Sequence, residues 1–237
     1  TVEIAKKYTD DVFVTEKGIG TQVMFGVKKV KYKYFLSVEC DHVYPDGFLN
    51  KFLSEYKNCG LFGLQATLKC IHKRTFWEKG ISLFYDIHQF NKGIRDMIAA
   101  PNLYPSEQYI DLLNVAEFSG FSIDTKIAQL LNEKNYVVGL GETIASQNQE
   151  INFRIFLKKY FKYGQGDYDF YQSNKINWTW RRKLKSIFHV FNRYVLSYPI
   201  KSLKVGSPHI AIPYLWASAI VRYSGWNYCI IKKLMCR

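Results

Sequence analysis

The 237-residue sequence predicts an α/β fold in which a mostly parallel sheet is flanked by helices and followed by a basic, aromatic-rich helical extension. Three observations carry this prediction. Strand and helix patterns alternate along the first sixty residues, as they do in sheets with helical crossovers. Two carboxylates, Glu39 and Asp41, directly follow one of these strands. The net charge of +13 lies entirely in residues 150–237, because residues 1–149 are neutral overall.

The N-terminal patterns predict five elements in chain order: a helix over residues 1–8, a strand over 12–14, a helix over 21–30, a strand over 34–38 and a helix from about residue 48. A glycine loop from Gly18 to Gly20 separates the first strand from the second helix. The strand over residues 34–38 is apolar throughout and is therefore expected to be buried. In sheets of this type, ligands bind at the carboxyl ends of the strands.

The segment from Glu39 to His42 stands at such a carboxyl end. Two carboxylates one residue apart are costly to bury unless something pairs with them. Mn²⁺ and Mg²⁺ take oxygen ligands and keep positions open for phosphate. The spacing therefore predicts that Glu39 and Asp41 hold a divalent cation that clamps a nucleotide diphosphate. The alternative is a polar turn in which Asp41 caps the helix that begins near Asp46.

The order of these elements, with these residues, resembles family 2 glycosyltransferases of the GT-A fold. In that family a helix, a short strand, a Gly-Ile-Gly type of loop and a second helix precede a strand ending in Asp-x-Asp. Glu39 and Asp41 occupy the two aspartate positions. The resemblance covers roughly residues 1–170. It implies a GT-A-like catalytic domain over residues 1–149 that lacks its first strand, since that strand would lie upstream of Thr1, and an extension over residues 150–237.

The resemblance implies transfer of a sugar from a nucleotide diphosphate sugar to the hydroxyl of a glycan or lipid-linked acceptor, with inversion and assisted by Mn²⁺ or Mg²⁺. Asp124 stands at the position of the catalytic base. The remaining implied contacts are Gly18, Gly20 and His42 for the donor, and Asn102 and Tyr104 for the acceptor.

Simpler roles exist for several of these residues. Asp124 suits a helix N-cap, and one residue can serve as both cap and base. His42 and Asn102 could instead be turn residues without a binding role. The family pattern is also altered, with Met24, Ile123, Lys126 and Leu130 in place of its usual polar residues. These departures favour an alternative function, a catalytically inactive module that binds a membrane surface or polyanions through its C-terminal third.

Composition and cysteine spacing argue against several other classes of protein. The chain is 48% hydrophobic and can fill a core, so it is not a disordered sequence. Its five cysteines are widely spaced and form no Cys-x-x-Cys pair, which argues against a zinc site and for reduced thiols in the cytoplasm. The Gly18 to Gly20 loop lacks the third glycine of a dinucleotide-binding fingerprint.

The basic extension has three interpretations. Trp, Tyr and Phe interleaved with Lys and Arg suit the interface of an anionic membrane, which would place the protein on the cytoplasmic membrane face. Alternatively, the extension packs on the catalytic domain and presents a solvated basic face. Nucleic acid is the least favoured partner, because no recognised binding motif is present. Within the extension, Gly164 to Asp167 predicts a flexible turn.

Overall fold

The computed structural model describes residues 2–16, 18–114 and 123–235, which form a mixed α/β structure with an open, six-stranded sheet. The strands are β1 (Tyr34–Ser37), β2 (His42–Val43), β3 (Gly63–Cys70), β4 (Gly93–Arg95), β5 (Asn102–Pro105) and β6 (Val138–Gln147). The helices are α1 (Val2–Ala5), α2 (Ile19–Lys28), α3 (Phe48–Cys59), α4 (Phe76–His88), α5 (Ser106–Asn114), α6 (Ile123–Glu133), α7 (Phe153–Asn174), α8 (Trp180–Val190), α9 (Tyr198–Val205) and α10 (Pro208–Met235), with a π-helical segment (Phe191–Ser197) between α8 and α9.

The sheet has the order β1-β5-β3-β6-β2, and β4 pairs with β6 off this path. The prediction of a mostly parallel sheet is wrong, because among the described strands only β3 and β6 pair in parallel. β1, β3 and β6 do share one direction, since β5 is antiparallel to both of its neighbours. Of these three strands, the strand–helix alternation predicted only β1. It made no prediction for β3 and β6, or for the short strands β2, β4 and β5, which insert between or beside them without helical crossovers.

The N-terminal elements differ in part from the prediction. The strand expected over residues 12–14 is absent, and Val14 is exposed where a strand would have placed it in the sheet. The helix expected over residues 21–30 is confirmed as α2, although it begins earlier, with Gly18 as its N-cap. β1 is confirmed, but it is a half-buried edge strand rather than a buried one. α3 is confirmed and buries Phe48, Phe52 and Tyr56.

Residues 153–235 are helical except for two short breaks at 175–179 and 206–207, as predicted for the extension. The turn expected from Gly164 to Asp167 is wrong, because these residues lie inside α7. A Cβ atom on Gly164 would overlap the carbonyl oxygen of Arg222, and one on Gly225 would overlap that of Phe161. The glycines are therefore needed for the close crossing of α7 and α10. The glycines from Gly164 to Gly166 were predicted to form a turn because local sequence rules contain no information about α10.

The helices of the extension pack against α4 of the sheet region. Ile81 and Ile87 of α4 belong to the same buried cluster as Tyr160 of α7 and Tyr214 of α10. At Gly80 the contact is so close that a Cβ atom would overlap the ring of Tyr214. The extension therefore packs on the preceding part of the chain, as one of its three interpretations predicts. None of the helices in the described part of the chain combines the length and apolar character that crossing a bilayer requires.

Candidate functional site

The acidic segment lies where the sequence placed it, between the end of β1 and the start of β2. Glu39 is exposed and Asp41 is partly buried. His42 opens β2 and pairs with Gln147 near the end of β6, which buries its side chain to 1% exposure. The Gln147 amide donates to Asp41 Oδ2 (3.1 Å), and the Asn148 N–H donates to the Asp41 carbonyl (2.7 Å). Strand pairing therefore fixes both Asp41 and His42.

Glu39, Asp41 and His42 converge on one point. The Nε2 atom of His42 is 3.8 Å from Glu39 Oε2 and 3.9 Å from Asp41 Oδ1, and one ligand atom from each residue falls within a 4.8 Å spread. Asp41 does not cap the next helix, because α3 begins at Phe48 with Gly47 as its N-cap and no side-chain cap bond. The polar-turn alternative in that form is wrong.

His42 carries the strongest sign of a missing partner. Its Nε2 atom is buried and has no hydrogen-bond partner, whereas buried polar atoms are normally satisfied. Its Nδ1 atom lies 3.1 Å from the Tyr44 hydroxyl. In the tautomer in which Nδ1 donates to that hydroxyl, the Nε2 lone pair is free and points at two carboxylates. A divalent cation satisfies all three groups at once, so the residues present fit a metal ion.

Asp124 lies in the first turn of α6, one residue after the helix begins. Its carboxyl is exposed, yet its pKa is raised to about 6, chiefly by reduced hydration and further by the negative charge of Glu39. The charge of Glu39 therefore acts on Asp124, which links this residue electrostatically to the acidic cluster. Residues 115–122, which include Ser122 of the predicted base segment, lie outside the described residues.

Lys159 of α7 is a further charged residue that interacts electrostatically with the acidic cluster and that the sequence did not single out. Burial lowers the pKa of its ammonium group, while the charges of Glu39 and Asp41 act in the opposite direction. Its Nζ atom donates to Gln149 Oε1 (3.2 Å). The sequence showed only that Lys159 belongs to a basic, aromatic helix. Nothing in the helical spacing distinguished it from Lys158, which is exposed.

The two residues predicted to contact the acceptor lie on β5. Asn102 is opposite Ser37 of β1 and is buried, and its Oδ1 atom lacks a hydrogen-bond partner. Tyr104 is buried in the core, where it packs on Phe35 and Tyr109. A buried core ring does not offer a surface to an acceptor, so the structure does not support the predicted role of Tyr104.

Gly18 and Gly20, predicted to contact the donor, lie at the N-terminus of α2. The helix packs into the core through Val23 and Val27, which belong to the same cluster as residues of α5. Contact between these glycines and a donor stays a prediction. Two cavities of about 630 Å³ each lie elsewhere, and neither is lined by the acidic cluster or by Asp124.

Comparison with known proteins gives no independent assignment: a scan against protein-family models found no match, and a search of curated proteins found none. The function of this region therefore has to be inferred from its chemistry. It combines three side chains whose ligand atoms are close enough to hold a cation, a carboxyl of raised pKa and an ammonium group of lowered pKa.

Proposed function

We propose that this protein is a glycosyltransferase that moves a sugar from a nucleotide diphosphate sugar to an acceptor hydroxyl with inversion. One observation carries the proposal: the partnerless Nε2 atom of His42 lies within 4 Å of the Glu39 and Asp41 carboxylates, and the charge of Glu39 raises the pKa of Asp124. This electrostatic link between the predicted metal ligands and the predicted base supports the proposal.

Glu39, Asp41 and His42 would hold Mn²⁺ or Mg²⁺. When bound, such an ion acts as a Lewis acid that neutralises the charge developing on a diphosphate leaving group. Lys159 would add a second positive charge, since the charges of Glu39 and Asp41 act on the pKa of its ammonium group. A buried ammonium group near a phosphate site binds as a point charge and helps to hold the diphosphate in place.

Asp124 would accept the proton from the acceptor hydroxyl as that oxygen attacks the anomeric carbon. A pKa of about 6 suits this role, because the carboxylate is still ionised at neutral pH and is a stronger base than an ordinary aspartate. Its exposure leaves room for a glycan or lipid-linked acceptor to approach from solvent. The protein would act in the cytoplasm or at the cytoplasmic face of a membrane.

The test is release of nucleotide from a panel of nucleotide diphosphate sugars in the presence of Mn²⁺. Asp41→Asn removes the charge of one ligand at constant size and should abolish release. Asp46→Asn is the matched control, since Asp46 is an exposed acid in the turn before α3 and should leave the rate unchanged. Release that survives Asp41→Asn would contradict the metal role.

The alternative is a catalytically inactive module that binds membranes or polyanions through residues 150–237. The non-family residues Met24, Ile123 and Lys126 favour it. In that case the wild-type protein would consume no nucleotide diphosphate sugar. Wild type and Asp41→Asn would also bind membranes or polyanions with the same affinity. The same pair of variants therefore distinguishes the two functions.

A further inference from the structure

Helix α8, the π-helical segment and α9 follow one another without a break from Trp180 to Val205. One face of this continuous helix is buried, and its contacts recur every four residues at Val190, Tyr194, Tyr198 and Ser202. Tyr194 and Tyr198 pack against Phe84 of α4. The buried face is therefore fixed to the rest of the molecule, and the opposite face points away from it.

The opposite face is apolar. Leu196 and Ile200 lie two residues from the buried positions, about half a turn away, and Leu203 continues the same face. Ile200 and Leu203 are 64% and 67% exposed. Along α8, exposed apolar side chains recur at four-residue spacing. We call the following six residues the docking face: Trp180, Leu184, Phe188, Leu196, Ile200 and Leu203.

This distribution is the reverse of that in an ordinary surface helix, which places polar residues towards solvent. Scattered apolar side chains on a surface are common, but a contiguous row along one helix indicates a binding surface. A helix of 26 residues extends at most about 39 Å at 1.5 Å per residue, so the row is long.

The charges around the docking face are all positive. The sequence from Phe170 to Arg237 contains no Asp or Glu and twelve Lys or Arg. Arg181 and Lys185 flank the apolar row in α8, and Lys201 and Lys204 flank it in α9. Because no acidic residue of this segment can neutralise them, the surface is complementary to a dense array of negative charges.

We propose that the docking face lies flat in the interface of an anionic lipid bilayer, with its apolar side chains among the acyl chains and the adjacent Lys and Arg side chains at lipid phosphates. Interfacial helices combine these properties: a large apolar face, basic flanks and Trp at the boundary. Single-stranded nucleic acid fits less well, because it binds by stacking on aromatic rings and four of the six residues of the docking face are leucine or isoleucine. This inference is independent of the proposed transferase activity.

The test is co-sedimentation of the full chain with vesicles of phosphatidylcholine alone or mixed with phosphatidylglycerol. We expect binding only to the mixed vesicles. The double variant Ile200→Glu/Leu203→Glu should weaken this binding at least about tenfold, because it places carboxylates among acyl chains. The matched control is Leu49→Glu/Ile94→Glu, which adds the same charge at exposed apolar positions of the sheet region and should lose far less affinity.

A second measurement does not depend on these variants. Trp180 is exposed, so its fluorescence should shift to the blue when mixed vesicles are added, and Trp180→Phe should remove most of that shift. The proposal is overturned if the protein does not bind mixed vesicles, or if the two double variants weaken that binding equally. It is also overturned if polyuridylate displaces the protein from vesicles while Ile200→Glu/Leu203→Glu binds the vesicles as tightly as wild type does.

Discussion

At the scale of single residues, His42 links the fold to the proposed chemistry. Its pairing with Gln147 in β2 and β6 buries the imidazole, and the same burial leaves Nε2 without a hydrogen-bond partner beside two carboxylates. The sequence resemblance predicted the carboxylates as metal ligands and placed His42 among donor contacts. The role as a third ligand could not be foreseen, because it depends on the pairing of two strands separated by about a hundred residues.

His42→Asn should weaken Mn²⁺ binding at least about tenfold, since an amide is a poorer ligand than a neutral imidazole and is shorter. Electron paramagnetic resonance of free Mn²⁺ during titration measures this directly. His209→Asn serves as control, because His209 is an exposed histidine of α10. Equal Mn²⁺ affinity in His42→Asn and His209→Asn would exclude His42 as a ligand.

Asp124→Asn should lower kcat by about 10²- to 10⁴-fold, the usual contribution of a general base. In the wild type, kcat/KM should fall as the pH drops through about 6, because the protonated carboxyl cannot accept a proton. The asparagine variant should show no such decline in its residual rate. A wild-type profile that is flat between pH 5 and 7 would contradict the role of Asp124.

The raised pKa of Asp124 also has a consequence for stability. Because the folded protein disfavours the charged form, the free energy that protonated Asp124 contributes is present below pH 3.8 and is lost as the pH rises through about 6. Asp124→Asn should therefore raise the melting temperature at pH 8 and leave it unchanged near pH 3.8. A variant less stable than wild type at pH 8 would argue that Asp124 has a structural role instead.

At the scale of elements, the glycines of α7 and α10 show how tertiary contacts override local patterns. Gly164 was predicted to lie in a turn, but Gly164 and Gly225 occupy the helix crossing where no side chain fits. The alternation of strands and helices gave β1, α2 and α3 from sequence. It could not give the direction of the short strands, because a two- to four-residue strand has too few side chains to specify its neighbour.

Gly164→Ala should destabilise the protein by about 1–3 kcal/mol, as overpacking of a well-filled contact usually does. Gly26→Ala is the control, because Gly26 lies inside α2 with open space around it and the exchange should stabilise the helix by about 0.5–1 kcal/mol. Urea unfolding monitored by circular dichroism measures both. Equal stability of the two variants would contradict the close crossing of α7 and α10.

At the scale of the whole molecule, the charge boundary near residue 150 does not coincide with a gap in packing. Ile81 and Ile87 of α4 share a buried cluster with Tyr160 and Tyr214 from the helical half. The amino-acid composition revealed the change in charge, because net charge depends mainly on surface residues. The residues of the shared core could not be predicted, since the apolar faces of α4 and α10 do not specify which helix packs against them.

We therefore expect one cooperative unfolding transition. Helix content measured at 222 nm and tryptophan fluorescence should give the same midpoint if the chain unfolds as one unit. The comparison is informative because helices lie on both sides of residue 150, whereas four of the five tryptophans lie beyond it. Two separated transitions would show that residues 1–149 and 150–237 are independent folding units.

The central claim is that Glu39, Asp41 and His42 hold a cation that in turn binds a nucleotide diphosphate. Isothermal titration calorimetry tests it most directly, with UDP, GDP, dTDP and CDP titrated into wild type, Asp41→Asn and Asp46→Asn, each with and without Mn²⁺. We predict that one of these nucleotides binds wild type and Asp46→Asn only when Mn²⁺ is present, and does not bind Asp41→Asn. Binding that is equal in Asp41→Asn, or no binding of any of the four to the Mn²⁺-loaded wild type, would contradict the account.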